Sequence, residues 1–118
     1  MAPSVLIVDD DPAFRDLAGR LLATAGLDVV RGAAGVEEAI TAANQIRPDA
    51  ALVDVDLPDG NGIDLAHELT ALPWRPRVVL TSVDVKAARP EDVRRSGAEA
   101  FVHKADLADG TLRSLFAE

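Results

Sequence analysis

Residues 5–12 read Val5-Leu6-Ile7-Val8-Asp9-Asp10-Asp11-Pro12. The four apolar residues, mostly β-branched, describe a short strand covered on both faces. Three aspartates end the run, and Asp11-Pro12 is an N-cap followed by a first helical residue. Phe14, Leu17, Ala18, Leu21, Leu22 and Ala25 then recur at helical spacing, and Gly26 closes the helix. A buried strand feeding a helix is half of a βαβ unit, so the fold depends on whether the unit repeats.

It repeats along the whole chain. Residues 27–31 are a second, weaker strand. Val36, Ala39, Ile40, Ala43 and Ile46 mark a helix ending before Pro48, and residues 50–53 are a third strand. The turn Leu57-Pro58-Asp59-Gly60-Asn61-Gly62 leads into a helix over 63–72. A fourth strand covers 77–80, a short helix 90–96 stops at Gly97, a fifth strand covers 100–102, and a last helix runs over 107–117. Five strands alternating with five helices predict an α/β fold: a five-stranded parallel sheet, doubly wound, with helices on both faces. Right-handed crossovers bring every strand's carboxyl end to one edge, where ligands bind in such folds.

Composition narrows the possibilities. At 118 residues, 48% apolar and 27% charged, the chain suits one globular domain. Its net charge of −8 argues against direct nucleic-acid binding by this domain. The absence of cysteine excludes disulfides, zinc thiolates and cysteine nucleophiles. No apolar run approaches the roughly 18 residues that span a bilayer, and no signal sequence opens the chain, so no membrane role and a cytoplasmic location are expected.

The chemistry then lies just past each strand. Asp9, Asp10 and Asp11 follow the first, Asp54 and Asp56 the third, Thr81 and Ser82 the fourth, and Lys104 the fifth. The second offers only Arg31 and Gly32. Two carboxylates 4 Å apart repel by roughly 4 kcal/mol at an effective dielectric of 20. A cluster of Asp9, Asp10 and Asp54 therefore calls for a hard divalent cation, and a few carboxylates with an open side suit Mg²⁺. Lys104 and Thr81 would face whatever anion that ion holds. Of the twelve basic residues only Lys86 and Lys104 are lysines, and a compact charge fits a narrow crevice better than a guanidinium fork.

The segments VLIVDDDP, LVDVDLPDGNG, VVLTS and GAEAFVHK, in this order and spacing, resemble the receiver domain of bacterial two-component response regulators. The resemblance runs from Val5 to about Phe116. It implies the flavodoxin-like strand order 2-1-3-4-5, a single receiver domain over 1–118, and no output domain in this chain. It implies a phosphorylation-controlled signalling switch that catalyses only its own phosphorylation and dephosphorylation. By the same resemblance Asp54 is the phosphoacceptor, and Asp10 ligates Mg²⁺ directly while Asp9 acts through water. The backbone carbonyl of Asp56 is a further ligand, Thr81 is the hydroxyl that swings toward the phosphoryl group, and Lys104 pairs with that group. Phe101 is the aromatic switch residue. The implied partners are a sensor histidine kinase or phosphotransfer protein. A homodimer through the fourth helix, fifth strand and fifth helix is a further implied contact. The chain departs from the family in having Ala105 where proline commonly follows the lysine.

Blander readings stand beside these. Asp11 is a helix cap rather than a ligand. Asp56 and Asp59 fail as a calcium loop because Pro58 and Asp59 break its pattern, and Gly60 and Gly62 are turn residues, not a dinucleotide fingerprint. His67 and His103 read as surface residues without partners, Lys86 as a solvated charge, and Trp74 has no assignable role. Two other functions remain open: a haloacid dehalogenase-like phosphatase, because Asp54-Val55-Asp56 fits that family's DxD motif, and a non-phosphorylated pseudo-receiver acting as an interaction module. The phosphatase reading conflicts with the order of the motifs, since Asp9-Asp10 precede Asp54.

Overall fold

A computed structural model describes residues 2–107 and 109–116. Its elements are β1 (Ser4–Val8), α1 (Pro12–Thr24), β2 (Asp28–Ala33), α2 (Val36–Ile46), β3 (Ala50–Asp54), β4 (Asp56–Leu57), β5 (Gly60–Asn61), α3 (Gly62–Thr70), β6 (Arg77–Ser82), α4 (Pro90–Ser96), β7 (Ala100–His103) and α5 (Asp109–Phe116). The five longer strands form one parallel sheet in the order β2-β1-β3-β6-β7, the 2-1-3-4-5 order implied by the resemblance.

The continuous apolar runs work because alternate residues serve different cores. Leu6, Val8, Ala51, Val53, Val78 and Leu80 pack with the helices α2, α3 and α4. Their neighbours Val5, Ile7, Ala50, Leu52 and Val79 pack with α1 and α5. Both sets are essentially inaccessible to solvent. A strand exposed on one side would have shown polar alternation instead.

The ends of the elements have identifiable causes. The Asp11 side chain accepts from Ala13 N at 3.0 Å, so this residue caps α1 as read. Gly26 and Gly97 follow their helices at φ +91° and +84°, a conformation that disfavours residues with a Cβ. Gly35 precedes α2 and has no side chain to cap it. Asp59 does so from across the chain, accepting from Val36 N at 2.7 Å and Glu37 N at 3.1 Å. Those two bonds hold the Asp59 carboxyl below its usual range.

Several expected boundaries shift. β4 and β5, an antiparallel hairpin, replace the simple turn expected before α3, which ends at Thr70 rather than 72. β6 and β7 each run on to Ser82 and His103. The last helix starts at Asp109, not 107, because Lys104–Asp106 form a 3₁₀ turn and Leu107 stays extended, packed into the α1–α5 core. Residue 117 of the expected helix lies outside the described residues.

Candidate functional site

Register brings the site together. Val8 lies beside Val53 and Asp54 beside Thr81, so Asp9, one residue past β1, comes level with Asp54. Thr81 in turn lies beside Val102, two residues before Lys104. Asp9 is about 1% exposed, Asp54 7% and Thr81 0%, whereas Asp10 is exposed to solvent. One carboxylate oxygen from each of Asp9, Asp10 and Asp54 lies within 4.8 Å of the others.

Lys104 links the carboxylates. Its Nζ donates to Asp9 Oδ2 at 2.7 Å and to Asp54 Oδ2 at 3.3 Å. The remaining oxygens take backbone donors: Asp9 Oδ1 accepts from Asp11 N at 2.9 Å, and Asp54 Oδ1 from Asp56 N at 3.1 Å. Arg15 Nη1 adds a bond to the Asp9 carbonyl. The Thr81 hydroxyl donates to Val102 O at 2.8 Å, across to β7. Phe101 is half-buried against the α2–α3–α4 core. The Asp56 side chain is exposed. Among the described residues no peptide bond is cis, so the bond after Lys104 is trans with Ala105.

Two sequence expectations need correction. His103 is not a surface residue without a partner: its Nε2 lies 2.6 Å from Val83 O and ties the end of β7 to the loop after β6. The extension of β7 to residue 103 creates that contact. Trp74 does have an anchoring role, since its Nε1 donates to Pro48 O at 3.0 Å and the Arg47 guanidinium lies 5.2 Å from the ring centre. His67 and Lys86 are exposed, as expected. The residues that sequence reasoning passed over are Phe14, read as core, and Gly62, read only as a turn.

Burial pushes the Asp54 carboxyl up, and the nearby Asp9 charge adds to this. The Asp56 N–H and the Lys104 charge pull it back, leaving it at about 6. For Lys104, burial pulls downward, but the Asp9 hydrogen bond and the Asp54 and Asp9 charges outweigh it, so its pKa lies above the usual lysine value. The Asp54 value predicts a pH dependence. Between its ordinary 3.8 and about 6, the folded protein keeps a proton that the unfolded chain releases. In EDTA this group's contribution to stability is therefore complete below about pH 4 and lost as pH rises to about 6. A divalent cation bound at the carboxylate would favour its charged form and lower the midpoint. Carbon NMR of the Asp54 carboxyl against pH, with and without Mg²⁺, measures it; a Mg²⁺-free midpoint near 4 contradicts the burial argument.

The pattern of the response regulator receiver domain matches residues 5–114. The chain belongs to the response regulator receiver family. This receiver domain is 36% identical over 108 residues to the DNA-binding response regulator MtrA of Mycolicibacterium smegmatis, covering 88% of this chain and 45% of MtrA. It is 28% identical to the chemotaxis protein CheY of Thermotoga maritima, covering 88% of this chain and 87% of that one. A two-component response regulator of the LuxR family from Aurantimonas sp. superposes with a TM-score of 0.84 at 26% identity, over 94% of this chain and 81% of the other. The receiver spans about half the length of relatives such as MtrA. It is a phosphorylation-controlled, CheY-like signalling domain, and receiver domains bind Mg²⁺ at an acidic pocket. The match does not favour the phosphatase reading of Asp54-Val55-Asp56. No described helix is long and apolar enough to cross a membrane.

Proposed function

We propose that this receiver takes a phosphoryl group onto Asp54 from a sensor histidine kinase or phosphotransfer protein in the cytoplasm. The observation that carries the proposal is Lys104 held between Asp9 and Asp54 beside the acidic cluster. The donor set is all oxygen and suits a small hard cation. Asp10, Asp54 and the backbone carbonyl of Asp56 would hold Mg²⁺, with Asp9 acting through water. When bound, Mg²⁺ supplies positive charge that draws in and neutralises the phosphoryl oxygens.

The chain's own residues do the rest. An Asp54 oxygen attacks phosphorus as the P–N bond to the donor histidine breaks, and the histidine nitrogen keeps the electron pair and takes a proton. Lys104 turns from the carboxylates toward a phosphoryl oxygen. The Thr81 hydroxyl leaves Val102 O to donate to the same group, and the space it vacates admits the Phe101 ring. Those movements alter the α4–β7–α5 face, the proposed homodimer surface. Water attack on phosphorus later breaks the bond to Asp54 and restores the carboxylate. Apart from this turnover at its own aspartate, the domain serves as a signalling switch and not as an enzyme acting on other substrates.

The test is incubation with acetyl phosphate and Mg²⁺ followed by intact mass. One added phosphoryl group is expected, absent in EDTA and in Asp54→Asn. An unmodified wild type would instead favour a pseudo-receiver.

A further inference from the structure

We propose that Phe14 is a positioning residue for Lys104, holding the ammonium on its ring face where it can reach an incoming phosphoryl group. This rests on the role of Lys104 in phosphoryl transfer. Lys104 Nζ lies 4.0 Å from the centre of the Phe14 ring, inside the roughly 6 Å over which a ring face attracts a cation. The lysine side chain is only 15% exposed, so the attraction acts where water screens it less. The first turn of α1 thus delivers two successive side chains to the site: Phe14 to Lys104, and Arg15 to the Asp9 carbonyl.

The chemistry explains why a ring suits this place. Asp9 is the nearer partner of Lys104, at 2.7 Å against 3.3 Å for Asp54. The shorter bond draws the flexible four-carbon stem toward Asp9, and the ring face gives the ammonium a third contact besides the two carboxylates. A further carboxylate would compete for the lysine's N–H donors. A ring face attracts the charge but accepts hydrogen bonds only weakly, so the ammonium stays placed yet free to turn a donor toward a new oxygen. Phe14 also packs against the α1–α5 core, which fixes the ring itself.

The test is the rate of phosphorylation by acetyl phosphate at saturating Mg²⁺, in proteins shown by urea titration to be folded. Phe14→Leu and Phe14→Met keep an apolar side chain but lose the ring. They are expected to slow transfer by roughly three- to tenfold, while Phe14→Tyr stays near the wild-type rate. In a Lys104→Ala background, Phe14→Leu is expected to have no further effect. The proposal is overturned if Leu and Met both react at the wild-type rate, if Tyr is as slow as Leu, or if the Phe14 and Lys104 effects simply multiply. A Lys104→Ala variant as fast as the wild type would overturn the role of Lys104 itself and the inference with it. A slow Lys104→Ala with a fast Phe14→Leu sinks only the inference.

Discussion

Lys104→Ala is expected to slow phosphorylation of Asp54 by acetyl phosphate roughly 100-fold or more, the usual cost of losing one preorganised donor to a developing negative charge. The ammonium is the one cationic side chain seen bonded to both Asp9 and Asp54 among the described residues. Its loss also leaves two buried carboxylates facing each other. Removing one partner of a buried ion pair costs about 3–5 kcal/mol at most. Two escapes reduce that here. Asp54 already titrates near 6 and can take a proton, and Mg²⁺ can replace the missing charge. The variant should therefore be less stable than the wild type in EDTA and regain most of the difference in Mg²⁺, while its phosphorylation stays slow. Urea titrations with and without Mg²⁺, beside the phosphorylation rate, separate the two effects. Fast phosphorylation by this variant would remove Lys104 from the mechanism.

Gly62→Ala is expected to be the most damaging of the glycine-to-alanine changes, since its added Cβ makes the shortest approach of any. A Cβ on Gly62 would lie 2.1 Å from the carbonyl oxygen of Asp54 and 2.8 Å from its carbonyl carbon. Those atoms are backbone and cannot rotate aside. The Gly62 N–H also donates to Val55 O at 2.7 Å, so α3 is pinned against the end of β3. Relief requires moving either the start of α3 or the strand that carries Asp54. Overpacking of this kind costs about 1–3 kcal/mol, and more when no side chain can yield. A loss of about 3 kcal/mol or more is expected, with phosphorylation impaired because Asp54 shifts. Gly110→Ala is the control: nothing lies within 4 Å of its Cβ, and in α5 the change should be neutral or stabilising by up to about 1 kcal/mol. Chemical denaturation of both variants gives the comparison, and near-wild-type stability of Gly62→Ala contradicts the steric argument.

Gly62 also marks what was hard to read in the sequence. Its turn character was legible; its close approach to Asp54 depends on two segments meeting in space. The strands were legible because each short apolar run, such as Val5–Val8 within β1, serves two cores, and the Asp11 cap was legible because it acts within its own helix. The acidic and basic site residues were legible because each lies at or just past the end of a strand, and a parallel sheet brings those ends to one edge. Asp59 capping α2, His103 holding Val83 O and Phe14 under Lys104 were not, since each links segments far apart in the chain. Phe14 was hidden further by serving two purposes: its helical spacing is that of an ordinary core residue. The short hairpin β4–β5 was missed because Pro58 and Gly60 signal a turn without showing that two residues on each side pair.

The proposed function depends on Asp9, Asp10, Asp54, Thr81 and Lys104 meeting around one cation and one phosphoryl group. The most direct measurement is a crystal structure of the protein with Mg²⁺ and beryllofluoride, a stable mimic of an acyl phosphate. The expected result is beryllofluoride on an Asp54 oxygen, Mg²⁺ between Asp10 and Asp54, Lys104 donating to a fluorine, and the Thr81 hydroxyl moved off Val102 O toward the ligand. Beryllofluoride on another carboxylate, or Thr81 still bonded to Val102 O with the ligand bound at Asp54, would contradict the account.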